Sequence, residues 1–266
     1  MKKVISWQNT IALASACLTL FSSCYPGTVI DDPYYVNENR QRENIYYIPT
    51  APHLPLVSEK QDLNFNLLRA SGNKFNGLEG QAAYMPWKNV ALGVSVSTGR
   101  HKDAGMKMIE YNRFELMSGY IKKIDKLWTF ETYAGLGTGK ITNYHYTGHS
   151  TIKLGHYFIQ PAIAVGNDDK TVQLVFASRF AGVNFNVSDT LFSTDREQFS
   201  GKQLNSLYDE PFHLMWEPAL LFRAGWKNIL FTLQYSHSSD LTNSSLHRSI
   251  DNFSFGISIR GNTKSK

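Results

Sequence analysis

Leu127–Leu136, LWTFETYAGL, carries the pattern that decides the fold: Trp128, Phe130, Ala134 and Leu136 fall on one face, and Thr129, Glu131, Tyr133 and Gly135 on the other. Successive side chains of a β-strand point to opposite sides, so this alternation is a strand with one apolar and one polar face. The pattern recurs. Val90, Leu92, Val94 and Val96 alternate with Ala91, Gly93, Ser95 and Ser97; Ile229, Phe231, Leu233 and Tyr235 with Thr232, Gln234 and Ser236; Phe253, Phe255, Ile257 and Ile259 with Ser254, Gly256, Ser258 and Arg260. Extended along the chain, it predicts ten strands near 61–70, 77–85, 90–98, 108–121, 127–141, 151–166, 171–187, 212–224, 229–238 and 250–261.

The connections alternate as well. Four are tight: PWKN (Pro86–Asn89), KKIDK (Lys122–Lys126), NDDK (Asn167–Lys170) and GWKN (Gly225–Asn228); those between are generally longer, most of all 188–212. Short turns at one end, long loops at the other and an even strand count predict a transmembrane antiparallel up-and-down β-barrel over 61–262, both termini on the periplasmic side. Trp87 and Trp226, in the repeated Trp-Lys-Asn turns, are expected at the periplasmic membrane interface, where an indole buries its ring and keeps its N–H wet.

Parity sends Glu79, Arg113, Glu115, Glu131, Glu217, Arg179, Arg223 and Arg260 inward. A basic residue facing lipid at mid-depth costs roughly 2–4 kcal/mol, whereas inside it can pair with an acid. A wall of eight to ten strands is narrow enough to be filled by side chains. The expectation is a salt-bridged, closed polar lumen.

Ahead of the barrel stands a different texture. Met1-Lys2-Lys3, an apolar run from about Thr10 to Phe21, then Ser22 and Ser23 make a secretory signal over 1–23, too short for a spanning helix. Losing it removes two lysines and no acid, so the formal charge falls from +5 to about +3, too mild for a nucleic-acid partner. Cys17 is lost with it, leaving one cysteine and no internal disulfide. Residues 25–60, rich in Pro, Tyr, Asn and charge, show neither helical nor strand period and are read as an extended periplasmic leader.

Leu20–Cys24, LFSSC, resembles the bacterial lipobox, which implies cleavage before Cys24 and acylation of it, palmitate included, in the inner leaflet of an outer membrane. The whole chain resembles the uncharacterised outer-membrane β-barrel lipoproteins of Bacteroidota-type bacteria. The likeness lies in this cysteine and in YYIPTAPHLPLVSEK (46–60), GQAAYMPWKNVAL (80–92), YFIQPAIAV (157–165), VFASRFAGVNF (175–185) and WEPALLFRAG (216–225). It implies fold and location, without an established chemistry. Gln160, Arg179 and Glu217, which these segments contain, fall inward by parity, so the likeness and the alternation select the same lumen residues.

QYSHSSDL (Gln234–Leu241) places His237 and Ser239 two apart, both outward at the loop end of the ninth strand; Asp251, fourteen residues after His237, lands outward at the start of the tenth. This resembles the His-x-Ser and distal acid of outer-membrane lipid A deacylases. The resemblance implies Ser239 as nucleophile, His237 as its base and Asp251 as the group orienting the imidazole. It departs from that pattern at Asp240, where an Asn suited to an oxyanion is expected, and in having Asp for Glu.

Other motifs carry less. GLGTGK (135–140) lacks the Ser or Thr of a phosphate loop and lies within a strand, so its glycines are expected to make room inside the barrel. His145 and His149 have helical ligand spacing but occupy a loop, and neither metal nor cofactor is expected. The function expected first is non-enzymatic: a structural or partner-binding role among outer-membrane lipid, through the leader 25–60 or the long loops. The alternatives are an acyl-ester hydrolase using Ser239, His237 and Asp251, or a narrow small-solute channel.

Overall fold

The computed structural model describes residues 45–50, 59–72, 75–103, 106–145, 148–167, 171–191, 198–226, 228–242 and 250–262. Ten strands follow in order: β1 Asp62–Gly72, β2 Phe75–Trp87, β3 Val90–Asp103, β4 Met106–Lys123, β5 Trp128–His145, β6 Gly148–Gly166, β7 Val172–Leu191, β8 Phe212–Gly225, β9 Ile229–Asp240 and β10 Ile250–Asn262. Each pairs antiparallel with its neighbour in sequence, and β10 pairs with β1 from Ser71↔Phe253 to Asp62↔Asn262, so the wall is a closed up-and-down barrel. Closure leaves no sheet edge unpaired, a requirement for any sheet in lipid.

Several strands run further toward the loop end than the alternation alone marks, β5 to His145 and β7 to Leu191. Backbone pairing continues there after the apolar face has ended. One element has no counterpart in the sequence reading: α1, Gln198–Asp209, occupies part of what reads as a long loop between β7 and β8. It buries Leu204 and Leu207, three apart on one helical face, and lies against β7. At the opposite end the turn before β3 holds Asn89 at φ 66°, a left-handed conformation that asparagine tolerates better than most residues.

The two faces of the wall are sorted as in a membrane-spanning barrel. Outside stand Phe65, Leu67, Leu78, Leu92, Val96, Phe114, Leu116, Leu136, Ile159, Phe176, Leu220, Leu233 and Ile259, all exposed. Inside, Asn64, Asn66, Gln81, Ser95, Ser97, Thr232, Gln234, Ser254 and Ser258 are buried beside the charged residues described below. Trp87 and Trp226, 60% and 62% exposed, stand at the turn end of β2 and just beyond β8. The described residues include no helix long and apolar enough to cross a membrane.

The reading of 25–60 as an extended periplasmic leader is corrected over residues 45–50. Ile45, Tyr46, Tyr47, Ile48 and Thr50 are buried, and this short stretch sits inside the lumen. Its tyrosines and isoleucines, without period in sequence, are apolar surface shielded by the wall. Cys24, the signal 1–23 and the rest of the leader up to Asn44 lie outside the described residues.

Candidate active site and lumen cluster

Two constellations stand out, one within the wall and one on it. Within, Arg113, Glu115, Arg179 and Glu217 form the upper cluster. Glu115 on β4 receives Arg113 Nη2 at 3.0 Å from its own strand and Arg179 Nη2 at 2.8 Å from β7, so the second ion pair crosses the lumen. His156 Nε2 of β6 lies 2.8 Å from the same carboxylate, and Glu217 Oε2 lies 3.7 Å from Arg179 Nε. Arg179 also rests on the Phe158 ring, its guanidinium carbon 3.7 Å from the centroid.

The glycines of GLGTGK make this packing possible. A Cβ at Gly137 would meet His156 Cε1 at 2.4 Å, and one at Gly135 would meet the Phe158 ring at 2.7 Å. No phosphate-binding helix start is present there, since the motif lies inside β5.

The leader residues complete the cluster. Arg113 donates to Ile48 O at 3.1 Å and to the Tyr47 hydroxyl at 2.9 Å; Arg179 donates to Thr50 Oγ1 at 2.7 Å; Asn252 donates to Pro49 O at 3.0 Å. Asn143 embraces Ile45, accepting its N–H at 3.0 Å and donating to its carbonyl at 2.9 Å. Sequence reasoning missed these partners because they lie 65 to 203 residues away in the chain.

Nearer the turn end, Tyr133 donates to Glu131 at 3.0 Å and Arg223 to Gln173 at 3.2 Å. Glu79, Gln160 and Glu217 are buried in the lumen, and Arg260 is half-buried near the end of β10. Paired charges in a low-dielectric interior avoid the cost of burying each alone.

On the wall, β9 and β10 pair with His237 opposite Asp251, which brings three separated residues into one line. Ser239 Oγ lies 3.0 Å from His237 Nε2, and His237 Nδ1 lies 2.8 Å from Asp251 Oδ1. Tyr235, two residues before His237 on the same face, donates its hydroxyl to that same Asp251 oxygen at 2.6 Å. The sequence reading has no role for Tyr235, although its parity with His237 is the signal that finds it.

This is the geometry of an activated serine: hydroxyl on imidazole, imidazole on carboxylate, and the carboxylate braced by a phenol. The group faces outward and is open, with His237 about a third exposed. Ser239 stands ten residues along β9 from Ile229. With a rise of about 3.3 Å per residue and a tilt of about 40°, that is about 25 Å above the turn end, the height of the lipid-facing band of such barrels. Tyr235, Leu233 and Phe231 descend below it into the apolar belt, and exposed Trp216 is the cross-strand partner of Ser239 on β8.

Asp240 proves not to face the serine. It points to the inner side, where its buried carboxylate lies 2.6 Å from His213 Nδ1 and accepts from Thr242 N and Oγ1 at 2.9 and 2.7 Å. Its charge is thus spent on anchoring the end of β9 to the start of β8. The N–H groups of Leu241 and Thr242 are also committed, to Leu214 O and to Asp240, so neither serves an oxyanion.

A metal has less support. His149 lies 3.1 Å from Asp189, and among the described residues no group of three His, Cys, Asp or Glu side chains is placed to hold an ion. The side chain of His145 lies outside the described residues.

No family model and no curated protein matches the chain. Among solved structures it is similar to the outer-membrane protease OmpT of Escherichia coli, at 11% identity and a TM-score of 0.38 over 79% of this chain and 99% of that one. It is similar also to the translocator domain of the autotransporter NalP of Neisseria meningitidis (8%, 0.40, 75% and 87%) and to the N-terminal barrel domain of Pseudomonas aeruginosa OprF (11%, 0.34, 76% and 98%). Likeness at this level adds nothing to the closed barrel itself.

Proposed function

We propose that this chain is an outer-membrane barrel whose outer wall carries a serine hydrolase site for acyl esters of membrane lipid. The observation that carries the reading is the Ser239–His237–Asp251 relay, at 3.0 and 2.8 Å, on the lipid-facing side at the outer boundary of the apolar belt. An ester carbonyl at the headgroup level of a lipid is a substrate that reaches such a site without leaving the bilayer.

The chemistry follows from the geometry. Ser239 Oγ attacks the ester carbonyl while its proton passes to His237 Nε2; Asp251 accepts from Nδ1–H and stabilises the imidazolium. Collapse of the tetrahedral adduct breaks the bond to the alcohol, which takes the proton from His237, and the acyl group stays on Ser239. Water then attacks the acyl-serine, giving its proton to His237, and the fatty acid leaves as the serine recovers the proton. The resemblance of His237-x-Ser239 to the lipid A deacylases supports lipid A as the substrate, and the inward turn of Asp240 removes the charge that stood against it.

Mass spectrometry of lipid A from cells carrying the parent chain or Ser239→Ala tests the reading. Loss of one acyl chain only with the parent is the expected result; identical lipid A in both overturns it.

A second reading, a non-enzymatic structural or partner-binding barrel, is favoured by the filled lumen, where the crossing Glu115–Arg179 pair and the leader residues make a plug. The same plug counts against conduction. Anchoring through Cys24 belongs to either reading, and rests on the lipobox alone.

A further inference from the structure

We infer that residues 45–50 run down the lumen with a fixed direction, Ile45 nearest the mouth that carries the long loops and Thr50 nearest the turn end. The direction is set by the partners of five of the six leader residues 45–50. Ile45 is held by Asn143, fifteen residues above the turn end of β5 and two from its loop end. Tyr47, Ile48 and Pro49 meet Arg113 and Asn252, each ten residues above the turn ends of β4 and β10. Thr50 meets Glu115 and Arg179, eight and seven residues up β4 and β7.

The contacts therefore descend in step with the chain. Five residues of extended backbone cover about 17 Å, and the fall of seven or eight residues along tilted strands is about 18–20 Å in height. Glu59 and Gln61 stand at the turn end: Glu59 N–H donates to Asp62 at 2.9 Å, and Gln61 N–H to Met85 O at 2.7 Å, both beside the start of β1. A leader entering from the turn end would place Ile45 low and Thr50 high, the reverse of what is seen.

The direction holds whether or not Ser239 is a nucleophile. The test is a pair of double-cysteine variants, Ile45→Cys with Asn143→Cys near the loop end and Ile45→Cys with Gln173→Cys near the turn end, treated with a mild oxidant and read by gel mobility with and without reductant in barrels that keep their folded mobility, the parent chain serving as background for Cys24. A cross-link in the first pair and none in the second is expected. No cross-link in the first pair, or one in the second at least as strong, overturns the inference.

Discussion

Glu115→Gln keeps the size of the side chain at the centre of the lumen and takes away its charge. In the parent, that carboxylate meets Arg113 at 3.0 Å, Arg179 at 2.8 Å and His156 at 2.8 Å, with Thr50 Oγ1 at 3.4 Å. Both guanidinium groups are buried, so they lose their counter-charge without gaining water. Removing one partner of a buried ion pair costs about 3–5 kcal/mol, because the remaining charge is left uncompensated. Glu217 lies 3.7 Å from Arg179 and offsets part of the loss, which sets the expectation near the lower bound, about 3 kcal/mol. Glu217→Gln, with one ion pair longer than a hydrogen bond, is expected to cost less. The assay is urea unfolding of barrels folded into lipid vesicles, followed by tryptophan fluorescence and by the fraction retaining folded gel mobility. A midpoint for Glu115→Gln within error of the parent, or below that of the parent by less than the shift for Glu217→Gln, would refute the crossing pair as what holds the plug.

Asp251→Asn should lower ester turnover by about 10⁴-fold, the loss expected when a triad carboxylate no longer fixes the imidazole tautomer, while leaving folded mobility unchanged. Tyr235→Phe, which removes one hydrogen bond to that carboxylate, should cost about tenfold, measured on the same micellar ester substrate; equal activity in both variants would dismiss the relay. Deleting residues 45–50 should convert a silent barrel into one that gives conductance steps in planar bilayers, and steps already present in the parent would show that the lumen is not closed by them. Gly256→Ala should destabilise the barrel by about 1–3 kcal/mol, since a Cβ there would meet Leu67 O at 2.0 Å and backbone has little room to yield; an unfolding midpoint equal to the parent's would show that the β1–β10 seam relaxes freely.

The barrel was legible because alternation is a local property. Trp128 and Glu131 declare their faces within four residues, and a face that is greasy on ten strands has lipid as its simplest neighbour. Turn residues such as those of Trp87–Val90 are equally local. The leader was not legible for the opposite reason: nothing near Ile45–Thr50 shows that Asn143, Arg179 and Asn252 complete its hydrogen bonds. The helix α1 was missed because its apolar stripe is thin: Leu204 and Leu207 stand among Gln, Ser, Lys and Asn. The site falls between these cases. His237 and Ser239 share a face by parity and Asp251 is brought in by register, yet the same parity turns Asp240 inward, a consequence easily overlooked when the tetrapeptide is read as a string.

A wall that surrounds its own amino-terminal segment poses a question of order. The ring is sealed by the pairing of β1 with β10, from Ser71↔Phe253 to Asp62↔Asn262, and the segment lies within it as thread lies within a bead. Either the thread is drawn through after the bead hardens, or the bead is moulded around the thread. Arg113 and Arg179 reach residues 45–50 only from within the ring, so the second course is the one expected: the seating of this stretch and the meeting of β1 with β10 become a single event, and losing one undoes the other.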